Sequence, residues 1–527
     1  MEFKHYWTST KRNHVICLGI LFLAAALFNL LPRALTGIPL SKQLSSDAEY
    51  HVVHWQEYSK HYAGSYEKDV SFRYDVRPAG ELFVDKQFVK IADALSLPNE
   101  ELSILLSVLA LGAFLTGVYA LSFFVLKNSP LALAIGLGSI IPTFALGGVA
   151  WGFSTVGYIP KELALGILVW LLLLFLYGKK RQSLKLKGLV FLMAGLLANW
   201  YPVGFFHFVA VLWVADVLLE KKLRIEHVIY GALFVGGGAF AIYDVLAKAH
   251  TTTAPDLVIM HLRYKYMLLD SLNYGVTRYL RRVILYFIWV CGLLFLRRRV
   301  LKKDEQTDLS IWKTLFISSG VLMLLGVCIE QYTVYAKLLF SRTSIYFLLS
   351  SMMLSAIILR DLVVKRLPPV KYKTYALSAI LVGVFLSQSA FPSVYRSLRD
   401  GAGAKESRKA FLTAIETLTK HTSSTSVVLA DPGYSNQIRA YGQRAVYSSW
   451  KDGGITLLDG AQGRAWYERF LPTKQVFQTD DFDQIMRFAQ AHGVDAVFVE
   501  KRKIQTSKET YPSISAGEYV IVPVIKN

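Results

Sequence analysis

The densest run of reactive side chains in this 527-residue chain is Asp47-Ala48-Glu49-Tyr50-His51-Val52-Val53-His54-Trp55. A carboxylate can take the proton from an attacking hydroxyl. An acid-x-acid pair can also hold a divalent cation, Mg²⁺ or Mn²⁺, that neutralises a phosphate leaving group. Asp47 and Glu49 are therefore candidate catalytic residues and candidate metal ligands. The same string is at home at a helix N-terminus, where acids are common. If the stretch is helical, His51 and His54 share a face with Asp47. They are candidate substrate-binding residues, set against the plainer reading of imidazoles bonded to loop backbone. Further along, Arg73, Asp75 and Arg77 form a second cluster: another acid between two substrate-binding cations, or a surface ion-pair network.

More cations lie far away in sequence. Arg263 and Lys265, with Arg278, Arg281 and Arg282, fall in a segment that the span count below puts outside, where basic residues are disfavoured. Arg342 and Lys337 stand at the outer end of a later span. Guanidinium and ammonium groups bind phosphate by charge-assisted bonds, so Arg263, Lys265 and Arg342 are candidate phosphate contacts. Anchoring in lipid head groups is the competing reading.

The elements that must carry these residues are apolar. The chain is 53% hydrophobic and 18% charged, against about 25% charged in a soluble protein. Several runs reach the roughly 20 residues needed to cross a bilayer. The reading is an α-helical polytopic membrane protein of about eleven spans, near residues 15–31, 102–126, 131–150, 163–177, two within 188–219 turning at Asn199–Pro202, 228–246, 283–296, 311–329, 343–359 and 374–391. Most of the +20 net charge sits in short loops such as Lys179-Lys180-Arg181, Lys221-Lys222 and Arg297-Arg298-Arg299. That pattern follows the positive-inside bias, puts the N-terminus inside and the C-terminus outside, and argues against a nucleic-acid partner. The first run reads as an uncleaved anchor, and Cys17, Cys291 and Cys328 as packing residues rather than a disulfide framework.

Residues 1–391 thus form a transmembrane domain with outer segments at 33–101, including a helix from Ala79 to Ser96, and at 247–282. From 392 to 527 short strands alternate with amphipathic helices, predicting a small extracytoplasmic α/β domain. It carries no nucleophile-and-base or nucleotide-loop signature. Its aromatic and basic strings, Asp431-Pro432-Gly433-Tyr434, Tyr441 to Tyr447 and Trp450-Lys451, suit either packing or a sugar chain.

This plan resembles the GT-C superfamily of membrane glycosyltransferases, with Asp47-Ala48-Glu49 matching the acidic motif of the family's first outer loop. The resemblance implies a polyprenyl-phosphate sugar donor, a glycan, lipid or protein acceptor, inversion at the anomeric centre, Asp47 as base and Glu49 as its assistant or a cation ligand. In many members the motif follows the first span almost directly, whereas about fifteen residues separate Pro32 from Asp47 here. Either the first helix is longer than drawn or Asp75 is the catalytic acid. Arg444-Ala445-Val446-Tyr447, Trp450-Lys451 and Trp466-Tyr467-Glu468-Arg469 also look like strings of an uncharacterised bacterial polytopic membrane family, which implies a bacterial inner membrane. A transporter and a non-catalytic envelope-glycan assembly component are the alternatives.

Overall fold

The computed structural model describes residues 2–34, 36–59, 66, 68–69, 79–140, 143–144, 150–152, 156–249, 253, 256, 258–260, 262, 274–301, 308–329, 340–366, 373–388, 401–457, 459–479 and 481–525. Arg73, Asp75, Arg77, Arg263, Lys265 and Lys337 lie outside the described residues. Among the described residues, five helical segments are long and apolar enough to cross a membrane: Arg12–Asn29, Asn99–Leu126, Pro160–Lys180, Pro202–Glu220 and Phe340–Val363. Shorter apolar helices pack among them at Ser129–Gly138, Ile225–Gly237 and Ser310–Gly326. Many large apolar side chains on these helices and on the helix Tyr274–Val300 point outward, among them Leu105, Leu109, Ile288, Phe295 and Leu324. Beyond residue 400 the exposed large hydrophobic among the described residues is Ile525. Apolar surface on that scale is stable against lipid and not against water, consistent with a helical membrane protein.

Hydropathy overran one helix and passed over a break in another. The expected span at 131–150 is a ten-residue helix, Ser129–Gly138, followed by a hairpin of β1 (Thr143–Phe144) and β2 (Ala150–Trp151). The run contains Pro142 and several glycines, which end a helix however apolar their neighbours are. The expected span at 228–246 divides into Ile225–Gly237 and Ala239–Ala249, because three glycines occupy 236–238. One of them, Gly237, lets the helix press on Leu184–Ala198: a Cβ there would sit 2.9 Å from the Leu192 carbonyl oxygen. The turn at Asn199–Pro202 is present, joining Leu184–Ala198 to Pro202–Glu220.

The basic clusters gather at one end of the bundle. Lys179 and Lys187 both reach Asp216, at 2.8 and 3.4 Å, beside His227. Arg297 meets Asp361 at 3.2 Å, and Arg360 caps the Leu126 carbonyl at 3.1 Å. His14 contacts Tyr119 at 2.7 Å, so the start of the first apolar segment lies toward this end. At the other end of the Asn99–Leu126 helix, about 42 Å away by its 28 residues, Glu100 accepts a bond from Gln56 of the Ser46–Tyr58 helix.

The C-terminal domain docks at that second end. Its sheet has the order β4-β3-β5-β7-β6, with β3 (Val427–Ala430) parallel to β4 (Ala445–Val446) and β5 (Ala496–Glu500). β7 (Tyr519–Pro523) runs antiparallel to β5 and to β6 (Ile514–Ala516). Helices Gly401–His421 and Ser435–Gly442 cover one face and Phe482–Ala491 the other. Val53 and Tyr66, from the segment that precedes the Asn99–Leu126 helix, complete the first of these cores. Gln56 donates to the Ala440 carbonyl at 3.1 Å. Arg439, 1% exposed, bonds both oxygens of Asp69 at 2.7 and 2.9 Å and both of Asp452 at 2.6 and 2.9 Å. Between the helices Ala239–Ala249 and Tyr274–Val300, Asp256 is buried and pairs with Arg464.

Candidate active site

Asp47 and Glu49 occupy the first turn of a helix, Ser46–Tyr58, as the helix-terminus reading expects. Ser45 caps it, its hydroxyl accepting from the Ala48 amide at 3.3 Å, and the Ser45 amide donates to the Val156 carbonyl at 2.9 Å. The first long helix ends at Asn29. The spacer to Asp47 is made of two single turns, Leu31–Ala34 and Leu40–Lys42, so a longer first helix does not explain the spacing.

The turn at 156–159 fixes a second part of the site. Gly157 adopts φ +98°, and a Cβ there would lie 2.5 Å from Ala48 Cβ and 2.9 Å from Leu44 Cδ2. The Tyr158 amide donates to Ser103 Oγ at 2.7 Å. Pro160 then opens the next long helix, which brings Lys161 Nζ to 3.0 Å from Asp47 Oδ2. Gly157→Ala is expected to cost about 1–3 kcal/mol from backbone strain alone. Thermal unfolding of the purified chain measures it, and Gly157→Ser should behave alike.

Lys451 comes from the C-terminal domain, at the start of the short helical turn Lys451–Leu457, and its ammonium contacts Asp47 Oδ1. Burial by itself pushes the Asp47 carboxyl up, but Lys161 and Lys451 together hold it well below the usual aspartate range. Glu49, fully buried, has the opposite fate. Its Oε1 accepts from the Tyr441 hydroxyl at 3.0 Å and from Arg408 Nη2 at 3.4 Å, while Oε2 is buried without a hydrogen bond. Burial raises the Glu49 carboxyl above its ordinary value, and Arg408 and Tyr441 only partly offset it. Burial, then the neighbouring Glu49, pushes the Tyr441 hydroxyl well up. Arg408 also donates to the Lys42 carbonyl at 2.9 Å and to Gln437 Oε1 at 2.8 Å.

These shifts have opposite linkage. Asp47 binds its proton less tightly in the folded state, so its contribution is present above the ordinary value of 3.8 and is lost as pH falls through the lower folded value. Glu49 binds its proton more tightly, so its contribution is full below 4.5 and fades as pH rises through the folded value. Stability measured from pH 4 to 8 is expected to fall less steeply with rising pH in Glu49→Gln than in the wild type.

Asp47 and Glu49 do not share a cation position. Asp47 bonds Lys161 and Lys451, whereas Glu49 bonds Arg408 and Tyr441. The His/Glu/Asp group lies one turn on. His51, Glu81 and Asp85 each offer a ligand atom within 4.8 Å of the others. His51 also meets the Tyr158 ring edge-on at 5.8 Å between centroids. His54 is buried, edge-on to Tyr50 at 4.5 Å. Arg342 is half-buried in the turn Phe340–Thr343 and is not among the partners of Asp47 or Glu49.

Sequence reading missed Lys161, Lys451, Arg408 and Tyr441. Lys161 carried a signal, a cation in an outer loop that the charge rule disfavours. Lys451 and Tyr441 stood inside the aromatic and basic strings, where nothing local ties them to residue 47 or 49. No protein-family model matches the chain, and no curated protein matches it.

Proposed function

We propose that the protein is a membrane glycosyltransferase of the GT-C type. It moves a sugar from a polyprenyl-phosphate donor to an acceptor hydroxyl at the extracytoplasmic face of a bacterial inner membrane. The observation that carries this reading is one carboxylate, Asp47, flanked by two ammonium groups, at the end of the bundle opposite the basic clusters. Lys161 starts an apolar helix and Lys451 belongs to the docked domain, which supports a pair suited to a phosphate carried on a lipid.

The chemistry divides among these groups. Asp47 takes the proton of the acceptor hydroxyl, the freed oxygen attacks the anomeric carbon, and the bond from that carbon to the phosphate oxygen breaks. The leaving lipid phosphate carries the electron pair away, and Lys161 and Lys451 neutralise it. With no donor bound, both lysines lie against Asp47 and make it a weak base. Phosphate draws them off, Asp47 regains proton affinity, and base strength appears when the leaving group is in place. Glu49 is a positioning residue, buried too deeply to meet substrate.

The test is transfer of radiolabelled sugar from polyprenyl-phosphate sugars in membranes containing the full chain. Lys451→Ala is expected to raise the donor KM more than it lowers kcat, and Lys451→Arg to recover most of it. Unchanged donor KM in both Lys451→Ala and Lys161→Ala refutes the phosphate role.

A further inference from the structure

We propose that His51, Glu81 and Asp85 form a binding site for one divalent transition-metal ion of the Zn²⁺ class. The site does not depend on the transferase reading. His51 Nδ1 stands 3.9 Å from Glu81 Oε1 and 4.0 Å from Asp85 Oδ2. These separations are too long for hydrogen bonds, yet the three atoms converge on one point. Ligand atoms about 2.0–2.2 Å from a zinc ion stand roughly 3–3.5 Å apart, and the three atoms here lie within 4.8 Å of one another, so side-chain shifts of about an ångström or less close the set.

The imidazole supplies the second, independent observation. His51 is 8% exposed, and its Nδ1 is buried with no hydrogen-bond partner. A buried imidazole nitrogen facing two carboxylate oxygens, with neither a donor nor an acceptor at bonding distance, is placed as a ligand is placed. Asp85 is fully buried, and Glu81 closes the side nearer solvent. One nitrogen and two carboxylate oxygens favour Zn²⁺ or its neighbours over Mg²⁺ and Ca²⁺, which take oxygen ligands. Three protein ligands leave a fourth position open for water or substrate.

The placement is informative. Glu81 and Asp85 are one turn apart on the Ala79–Leu95 helix, and His51 is one turn past Asp47 on the Ser46–Tyr58 helix. An ion here ties the two helices together about 5.4 Å along the axis from Asp47.

The experiment uses the full chain in detergent, stripped with a chelator and titrated with Co²⁺, whose visible absorption reports low coordination number, then competed with Zn²⁺. The wild type is expected to bind one equivalent. His51→Ala and Asp85→Asn are each expected to weaken binding more than about 100-fold, beyond the loss of a merely supporting residue. Asp47→Asn should bind as the wild type does. Stripped variants are compared with stripped wild type by thermal unfolding, and the half-buried Glu81→Gln serves where Asp85→Asn fails to fold. No stoichiometric binding by the wild type, binding retained in the ligand variants, or binding lost in Asp47→Asn overturns the site. The readout contains no sugar transfer, so its failure and that of the transferase reading are distinguishable.

Discussion

Asp47→Asn is expected to lower sugar transfer by about 10²- to 10⁴-fold, the range a positioned general base contributes. Asparagine keeps the size of the side chain and can still accept a bond from Lys161 or Lys451, so the fold should survive. The loss should appear in kcat. Donor KM should stay constant or fall, because the lysines no longer need to be drawn off a negative charge before they meet the phosphate. That direction separates a base from a mere anchor: loss of an anchor loosens the lysines and raises donor KM. Asp75→Asn is the companion variant, since the spacing in the sequence left Asp75 as the other acid. If Asp75→Asn is inactive and Asp47→Asn is active, the base is reassigned. Wild-type transfer by both removes the chemistry proposed here.

Arg439→Leu is the substitution with the largest expected effect on stability, about 3–5 kcal/mol, the cost of breaking a buried ion pair by deleting one partner. The guanidinium is fully enclosed, and burial alone would disfavour its charge. Asp452 and Asp69 more than reverse that and hold it protonated. Removing it leaves the buried Asp69 without its cation. Thermal unfolding in detergent should drop accordingly. The double variant Arg439→Leu with Asp69→Asn should lose less than Arg439→Leu alone, because the stranded carboxylate is then neutral. Equal losses in the single and double variants would assign the effect to packing volume rather than charge.

What the sequence shows of this molecule depends on how far each signal reaches along the chain. β3 at Val427–Ala430 and the helix Phe482–Ala491 supply the strand-and-helix texture expected after residue 392, because a short β-branched run and a Phe482-Ile485-Met486-Ala489 stripe are local patterns. The Ala79–Leu95 helix matches expectation to one residue at its end for the same reason. The helix near 131–150 is shorter than expected and the run at 228–246 is broken at Gly238, because averaged hydropathy counts glycine as a neutral neighbour, whereas a helix is weakened by it. At the site, the acids were legible by type and spacing. Their partners were not: Lys451 is 404 positions from Asp47 and Tyr441 is 392 from Glu49, and no local spacing encodes such a pairing. The metal group falls between these cases. Glu81 and Asp85 have helical spacing that can be read directly, but their convergence on His51 depends on how two helices cross.

The Arg439–Asp69 contact joins positions 370 apart in the chain, and this dictates a timetable for biogenesis. The aspartate is synthesised early, and its arginine leaves the ribosome only after every apolar helix has been made. Until then the carboxylate side of the joint waits without its mate. Contacts of such separation form late and slowly. A nascent polypeptide arrested before residue 439 therefore lacks the arginine that ties the 66–69 stretch to the C-terminal domain.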